Sequence, residues 1–312
     1  MANAKISIVV PCYNEQAVLP IFYKTIIPYL EEIDNSFEII FVDDGSKDET
    51  SSLVKDLASN DKRVKYIIFS RNFGKEAAMY AGLSKAAGDY VVVMDADLQD
   101  PPEKLKEMYV SIQNEGFDCV ATRRVTRKGE PKIRSWFARK FYKLINKMTQ
   151  TEIVDGARDY RMMNRKMVDA VLSMKEYNRF SKGIFSFVGF KTKWLEYENI
   201  QRAAGETKWN FRKLFVYAVE GILAFTLSPL YFVIKLGVFL CGISVLGSLT
   251  MLILHLIPSV MFDYSETLIL ISVLCFLASL IIICLGIVGV YVAKINNEVK
   301  NRPIYIEKDS NL

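Results

Sequence analysis

The sequence predicts an α/β domain, a mostly parallel sheet with helices on both faces, followed by interfacial helices and a two-helix transmembrane hairpin. Three observations predict it. Apolar strand runs alternate with helical patterns through the first 120 residues, the order that builds a parallel sheet. Polar clusters, two of them with paired aspartates, follow the first, second and fourth of those runs. Near the C-terminus lie two long stretches without a charged residue.

Strands are expected at Ile6–Val10, Phe37–Val42, Val64–Phe69, Tyr90–Met94 and Asp118–Thr122, with helices near Glu15–Ile33, Asp48–Asn60, Lys75–Ala87 and Pro102–Glu115. Residues 123–205 are less regular. They hold a basic helical pattern (Ile133–Met148), the segment Asp155–Met163, a helix from Arg165 to Met174 and a strand-like run Lys191–Tyr197. Phe211–Phe225 is amphipathic and suits a membrane interface, with a core-packed helix as the alternative. Pro229 then breaks the chain.

Leu236–Ile257 and Leu268–Ala293 contain no Asp, Glu, Lys or Arg, and roughly 20 apolar residues cross a bilayer. The expected organisation is therefore a large N-terminal domain over 1–208, a juxtamembrane region over 209–228, two spans within 229–294 (236–257 and 268–293) and a tail over 295–312. The loop between the spans, Pro258–Thr267, carries Asp263 and Glu266 but no Lys or Arg. Lys208, Arg212, Lys213 and Lys235 precede the spans, and Lys294, Lys300 and Arg302 follow them. The positive-inside rule makes this a multi-pass protein of the cell membrane, with the large domain and the C-terminus cytoplasmic. Met1–Ile8 lacks the apolar run of a cleaved signal peptide.

Composition excludes several chemistries. The one histidine, His255, lies in the first span, so the large domain has no histidine base. Cys12, Cys119, Cys241, Cys275 and Cys284 form no Cys-x-x-Cys pair, which argues against zinc and against a disulfide framework. The net charge of +5 suits an anionic leaflet or phosphorylated ligands. No recognisable motif or basic stripe points to nucleic acid.

Asp95-Ala96-Asp97-Leu98-Gln99-Asp100-Pro101-Pro102 follows the fourth strand run. Two carboxylates leaving a strand end together repel unless a cation sits between them. Their hard oxygens select Mg²⁺ or Mn²⁺, ions that also bind nucleotide diphosphates. In Pro11-Cys12-Tyr13-Asn14-Glu15, Tyr13 can stack on a base and Glu15 can accept from a ribose hydroxyl or favour the helix start. Either Asp43 or Asp44 can bind a base edge, while Asp44-Gly45-Ser46-Lys47-Asp48 also reads as a turn and N-cap.

These segments, with Arg71-Asn72-Phe73-Gly74-Lys75-Glu76-Ala77-Ala78, closely resemble the family 2 inverting glycosyltransferases, and within them the polyprenyl-phosphate branch. Arg202-Ala203-Ala204-Gly205-Glu206-Thr207-Lys208-Trp209 and the two spans match as well, so the resemblance covers nearly the whole chain. Thr207 replaces the usual Ser and keeps the hydroxyl. The resemblance implies a GT-A nucleotide-diphosphosugar transferase fold and transfer of one sugar to a polyprenyl phosphate. It implies UDP-glucose as donor, with GDP-mannose as the alternative and a non-catalytic membrane scaffold as a more distant one. A homo-oligomer is a further implication.

By the same resemblance, Pro11, Tyr13, Glu15, Asp43, Asp44, Asp95, Ala96 and Asp97 hold the nucleotide sugar. Asp95, Asp97 and Gln99 hold Mg²⁺ or Mn²⁺, and Asp97, Asp159 and Arg161 serve catalysis. Arg123, Arg127, Arg202 and Lys208 are candidates for the phosphates of donor and lipid, since guanidinium forks fit phosphate oxygens. Gln201-Arg202-Ala203-Ala204 departs from the Gln-x-x-Arg-Trp of processive synthases, which argues against polymerisation.

Overall fold

The computed structural model describes residues 5–125, 154, 156–198, 231, 233–237, 239–240, 242–243, 246 and 265–312. Its strands are β1 (Ile6–Cys12), β2 (Phe37–Asp43), β3 (Val64–Phe69), β4 (Tyr90–Val93), β5 (Cys119–Arg124), β6 (Ala157–Asn164), β7 (Thr192–Tyr197) and β8 (Glu307–Ser310). Its helices are α1 (Leu19–Ile33), α2 (Thr50–Asn60), α3 (Lys75–Lys85), α4 (Lys104–Glu115), α5 (Arg165–Ser173), α6 (Ser181–Phe187) and α7 (Ser265–Val299). Two compact units result. One joins Met1–Ala224 to Arg302–Leu312, and the other is Phe225–Asn301.

The strands form one sheet in the order β7-β5-β6-β4-β1-β2-β3-β8. Pairings β1–β2, β1–β4, β2–β3 and β5–β7 are parallel. Strand β6 runs antiparallel between β4 and β5, and β8 runs antiparallel along β3. Strands β1 and β2 are buried along nearly their whole length, because helices cover both faces of the sheet.

Alternation along β1 sorts those faces. Ile6, Ile8, Val10 and Cys12 enter the core with Leu19, Phe22, Ile26 and Leu30 of α1, whose spacing makes one apolar stripe. Each such burial contributes about 1.5–3 kcal/mol. On the opposite face Val9 meets α3 at Gly82, where any side chain would overlap the valine methyl. The bare helix surface there lets α3 lie against β1 and β2, and α3 carries Lys75 and Glu76 at its first turn.

Two sequence expectations change. The Asp155–Met163 segment, given no assignment from the sequence, supplies most of β6, which fills the gap between β4 and β5 antiparallel to both. The tail expected over 295–312 does not end as a free extension: Glu307–Ser310 becomes the edge strand of the main sheet. Its sequence, Glu-Lys-Asp-Ser, lacks the β-branched residues that mark strands, so backbone pairing rather than propensity forms it.

Among the described residues, one helix is long and apolar enough to cross a membrane, Leu280–Val299 within α7. That stretch overlaps the expected second span. The first span, 236–257, lies largely outside the described residues, as do the helical patterns at 133–148 and 211–225.

Replacing Gly82 by Leu is expected to lower stability by about 1–3 kcal/mol through overpacking against Val9. Thermal unfolding of the detergent-solubilised protein measures it, and an unchanged midpoint would refute the close packing.

Candidate active site

The carboxyl ends of β1, β2 and β4 lie side by side in the sheet, and these ends and the loops after them carry Asp43, Asp44, Asp95 and Asp97. Asp43 ends β2, fully buried, and accepts from the backbone N–H and hydroxyl of Ser46 and from the hydroxyl of Ser51. It thereby folds its own turn onto α2. The turn needs Gly45, whose φ is +64° and whose missing side chain would lie 2.7 Å from the backbone nitrogen of Asn72.

Asp44 reaches the next loop instead. Its Oδ1 accepts from the N–H of Phe73 at 2.6 Å, and its Oδ2 from the N–H of Gly74 at 3.0 Å. Burial raises the Asp44 carboxyl to about 6, although these N–H groups oppose the rise. Both aspartates read as nucleotide-binding therefore also build the loops around them.

Pro11 is paired within β1, opposite Val42. Asn14, at φ +53°, ties the first loop to the second: its N–H donates to Ser46 Oγ and its Oδ1 accepts from Lys47 N–H, both at 2.8 Å. The N–H of Glu15 donates to Thr50 Oγ1 at 2.8 Å. Tyr13 and Glu15 are half-buried in the same loop.

Asp95, Ala96 and Asp97 follow β4 as the sequence requires. Asp97 is 7% exposed and accepts from the N–H of Gln99 at 3.1 Å. Leu98 between them has φ +55°, a backbone conformation costly for leucine and frequent where a turn is shaped for binding. Antiparallel β6 then brings Asp159 to Asp95 from the neighbouring strand. Lys75 Nζ stands between them, 2.7 Å from Asp95 Oδ1 and 2.6 Å from Asp159 Oδ2.

Lys75 begins α3, where the helix dipole disfavours a cation. The two carboxylates outweigh both the dipole and desolvation, raising its pKa above the ordinary lysine range. Burial works to raise Asp159, but Lys75 first, then Lys182 and Arg161, hold it well below the usual carboxylate range. Arg158 adds a second cation. Its Nε donates to Asp100 at 3.2 Å, and its Nη2 lies 3.8 Å from Asp95. Asp100, 1% exposed, also accepts from the Tyr197 hydroxyl at 3.1 Å; burial raises the Asp100 carboxyl above the usual carboxylate range and pushes the Tyr197 hydroxyl up to about 12.

Lys75, Asp100, Arg158 and Tyr197 were not among the site residues read from the sequence. Lys75 lay inside a quoted motif, and its position at a helix start was the available signal. Arg161 is 3% exposed: its Nη2 donates to the Arg158 carbonyl at 2.9 Å, and its guanidinium lies 3.8 Å from the Phe185 ring centre. Its side chain thus packs inward beside Asp159 instead of entering the site. Arg123 pairs with Glu196. Arg127, Arg202 and Lys208 lie outside the described residues.

Glu76, next to Lys75, accepts from the N–H and hydroxyl of Ser181 and so fastens α3 to α6. Burial raises its carboxyl to about 7, with the Ser181 bonds opposing.

No group of three or more His, Cys, Asp or Glu side chains forms a metal cage among the described residues. The oxygens of Asp95 and Asp97 at one strand end nevertheless fit an ion that completes its shell with diphosphate and water, as Mg²⁺ and Mn²⁺ do.

A family model described as glycosyl transferase family 2 matches residues 7–172. The putative glycosyltransferase CsbB of Bacillus subtilis (strain 168) is 39% identical over 312 residues, covering 100% of this chain and 94% of its own. The bactoprenol glucosyl transferase of Shigella phage SfII is 40% identical over 307 residues, covering 98% of each chain. Among solved structures, the chain resembles the mannosyltransferase PcManGT from Pyrobaculum calidifontis, determined with GDP-Man and Mn²⁺. That match has a TM-score of 0.49 and 16% identity, over 72% of this chain and 63% of the other.

A pH dependence follows from Glu76. Its folded pKa exceeds the unfolded carboxylate value, so its stabilising share is full below about pH 4.3 and is lost as pH rises through about 7. Glu76→Gln keeps an acceptor for Ser181 and removes the charge. Plotted from pH 4 to 8, its melting temperature is expected to fall less steeply than that of the parent protein; parallel curves would refute the assignment.

Proposed function

The chain belongs to glycosyl transferase family 2, and from that premise we propose that it transfers one glucose from UDP-glucose to a polyprenyl phosphate at the cytoplasmic face of a membrane. The observation that carries the proposal is the Asp95–Lys75–Asp159 bridge. It joins the end of β4 to β6 and puts a cation between the two carboxylates on which diphosphate departure and sugar orientation would depend. Full-length relatives named as bactoprenol glucosyl transferases support the acceptor class and the sugar. The apolar stretch in α7 supports a membrane anchor. Two spans and a cytoplasmic domain are the topology that the Lys and Arg asymmetry favours.

Asp95 and Asp97, with Gln99 beside them, would hold Mg²⁺ or Mn²⁺. Such an ion, when bound, supplies Lewis-acid neutralisation of the leaving diphosphate. The Lys75 ammonium adds a fixed positive charge at the same place. The loops organised by Asp43 and Asp44 receive the base and ribose, with Tyr13 in the first of the neighbouring loops as the ring for the base. Asp159, ionised and anchored through Lys75, accepts from a sugar hydroxyl and fixes the anomeric carbon toward the acceptor.

The acceptor needs no strong base. A phosphomonoester loses its second proton near pH ~6, so its oxygen is already a nucleophile at neutral pH. That oxygen attacks the anomeric carbon from the face opposite the diphosphate. The bond to the diphosphate breaks with its electron pair, and the configuration inverts. Asp159, held strongly acidic, is a poor proton acceptor and acts by orientation.

The test incubates the purified full-length protein with polyprenyl phosphate, Mn²⁺ or Mg²⁺ and, separately, UDP-glucose, UDP-N-acetylhexosamines and GDP-mannose. Lipid gaining one hexose from UDP-glucose with release of UDP is the expected result. Transfer from GDP-mannose alone would overturn the donor, and no transfer from any donor would overturn the reaction. Asp97→Asn is expected to lower turnover by about 10²- to 10³-fold with an unchanged melting temperature; full activity would remove Asp97 from the diphosphate site.

A further inference from the structure

The C-terminal strand does more than cover the edge of β3. Residues Ile67, Ile68 and Phe69 pair with Ser310, Asp309 and Glu307, and the Asn311 side chain extends the pairing by accepting from Tyr66 N–H at 2.7 Å. Lys55 of α2 meets Asp309 at 2.5 Å. That ladder would suffice to blunt an exposed edge. The segment just before β8 reaches further, toward the loop between β3 and α3. The Ile306 carbonyl accepts from Ser70 N–H at 3.0 Å, and the Tyr305 ring stacks on Phe69 with centroids 4.8 Å apart and planes at 20°.

Phe69 passes the contact on. Its ring meets Phe73 edge to face at 5.8 Å, and the Arg71 guanidinium lies over the Phe73 ring at 3.9 Å. The backbone N–H of Phe73 and that of Gly74 are the donors to Asp44. The next residue, Lys75, bridges Asp95 and Asp159. A continuous run of ring contacts, one stacked and one edge to face, therefore leads from Tyr305 to the loop between Asp44 and Lys75.

We propose that Tyr305 is a positioning residue for donor binding, acting through Phe69 and Phe73 to hold the 70–74 loop against Asp44. The proposal rests on the reading of that loop as the seat of the nucleotide. Tyr305 lies outside the β3–β8 ladder, so strand pairing alone does not require an aromatic ring there. The ring's place in the stack fits a demand from the loop.

The experiment uses full-length protein in detergent. Binding of UDP and of GDP is measured by calorimetry, and KM is measured separately for donor and lipid phosphate. Tyr305→Ala is expected to raise the nucleotide Kd and the donor KM about 5- to 10-fold, the range expected for loss of an aromatic pair. The lipid KM and kcat should stay within about 2-fold. Tyr305→Phe keeps the ring and should restore donor binding. Asn311→Ala loosens the same tail away from the loop, and should lower the melting temperature without raising the donor KM.

Unchanged nucleotide binding in Tyr305→Ala would overturn the proposal, as would an equal loss in Asn311→Ala. Asp44→Ala separates the two layers of the argument. If it leaves nucleotide binding intact, the reading of the loop as the nucleotide seat fails. If it weakens binding while Tyr305→Ala does not, only the role of Tyr305 fails.

Discussion

Crowding of negative charge at one rim of the sheet is the constraint on which the rest of this structure depends. Asp43, Asp44, Asp95, Asp97, Asp100 and Asp159 all belong to strand ends or the turns that follow them. Burying several carboxylates close together is unfavourable unless each finds a donor or a cation. Each solution found here also fixes a piece of backbone. Asp43 takes the hydroxyls of its own turn, Asp44 the N–H groups of the next loop, Asp100 takes Arg158 and Tyr197, and Lys75 serves Asp95 and Asp159 together. The acidic rim is thus the organiser of its own loops.

The same pairing prepares charge for use. Lys75 sits at the positive end of a helix, where its charge is disfavoured until carboxylates or, in the proposed reaction, a diphosphate lie beside it. A site built this way needs little rearrangement when an anionic donor arrives with its cation, because the positive groups are already turned toward one point. Preorganised charge of this kind is worth more among part-buried groups than in water. Residues 302–312 return to the main unit after the apolar helix has been traversed in sequence.

Much of the architecture was legible because it rests on local pattern. Strands β1 to β4 and helices α1 to α4 follow apolar runs and their periodicity, and the Asp95-Ala96-Asp97 turn is visible as a charge pair after a buried strand. Strand β6 escaped notice because its Asp-Tyr-Arg-Met sequence alternates weakly and owes its place to the gap between β4 and β5. Strand β8 escaped for a similar reason: its partner is more than two hundred residues away, and its charged sequence carries no strand signal. Arg161 was legible as a charge beside Asp159, yet its direction was not, since only packing against Phe185 turns it inward.

By itself the sequence determined the order of strands and helices, the position of the acidic turns at strand ends, the absence of a histidine base in the large domain and the presence of long uncharged stretches. These follow from residue type and spacing, which act over a few turns of chain. Tertiary structure alone decided which charges meet. Lys75, Arg158 and Tyr197 come from a helix and two strands far apart in sequence, and only the sheet order brings them to Asp95, Asp100 and Asp159. The strength of an ion pair depends on distance and burial in space, and neither quantity is written in local sequence.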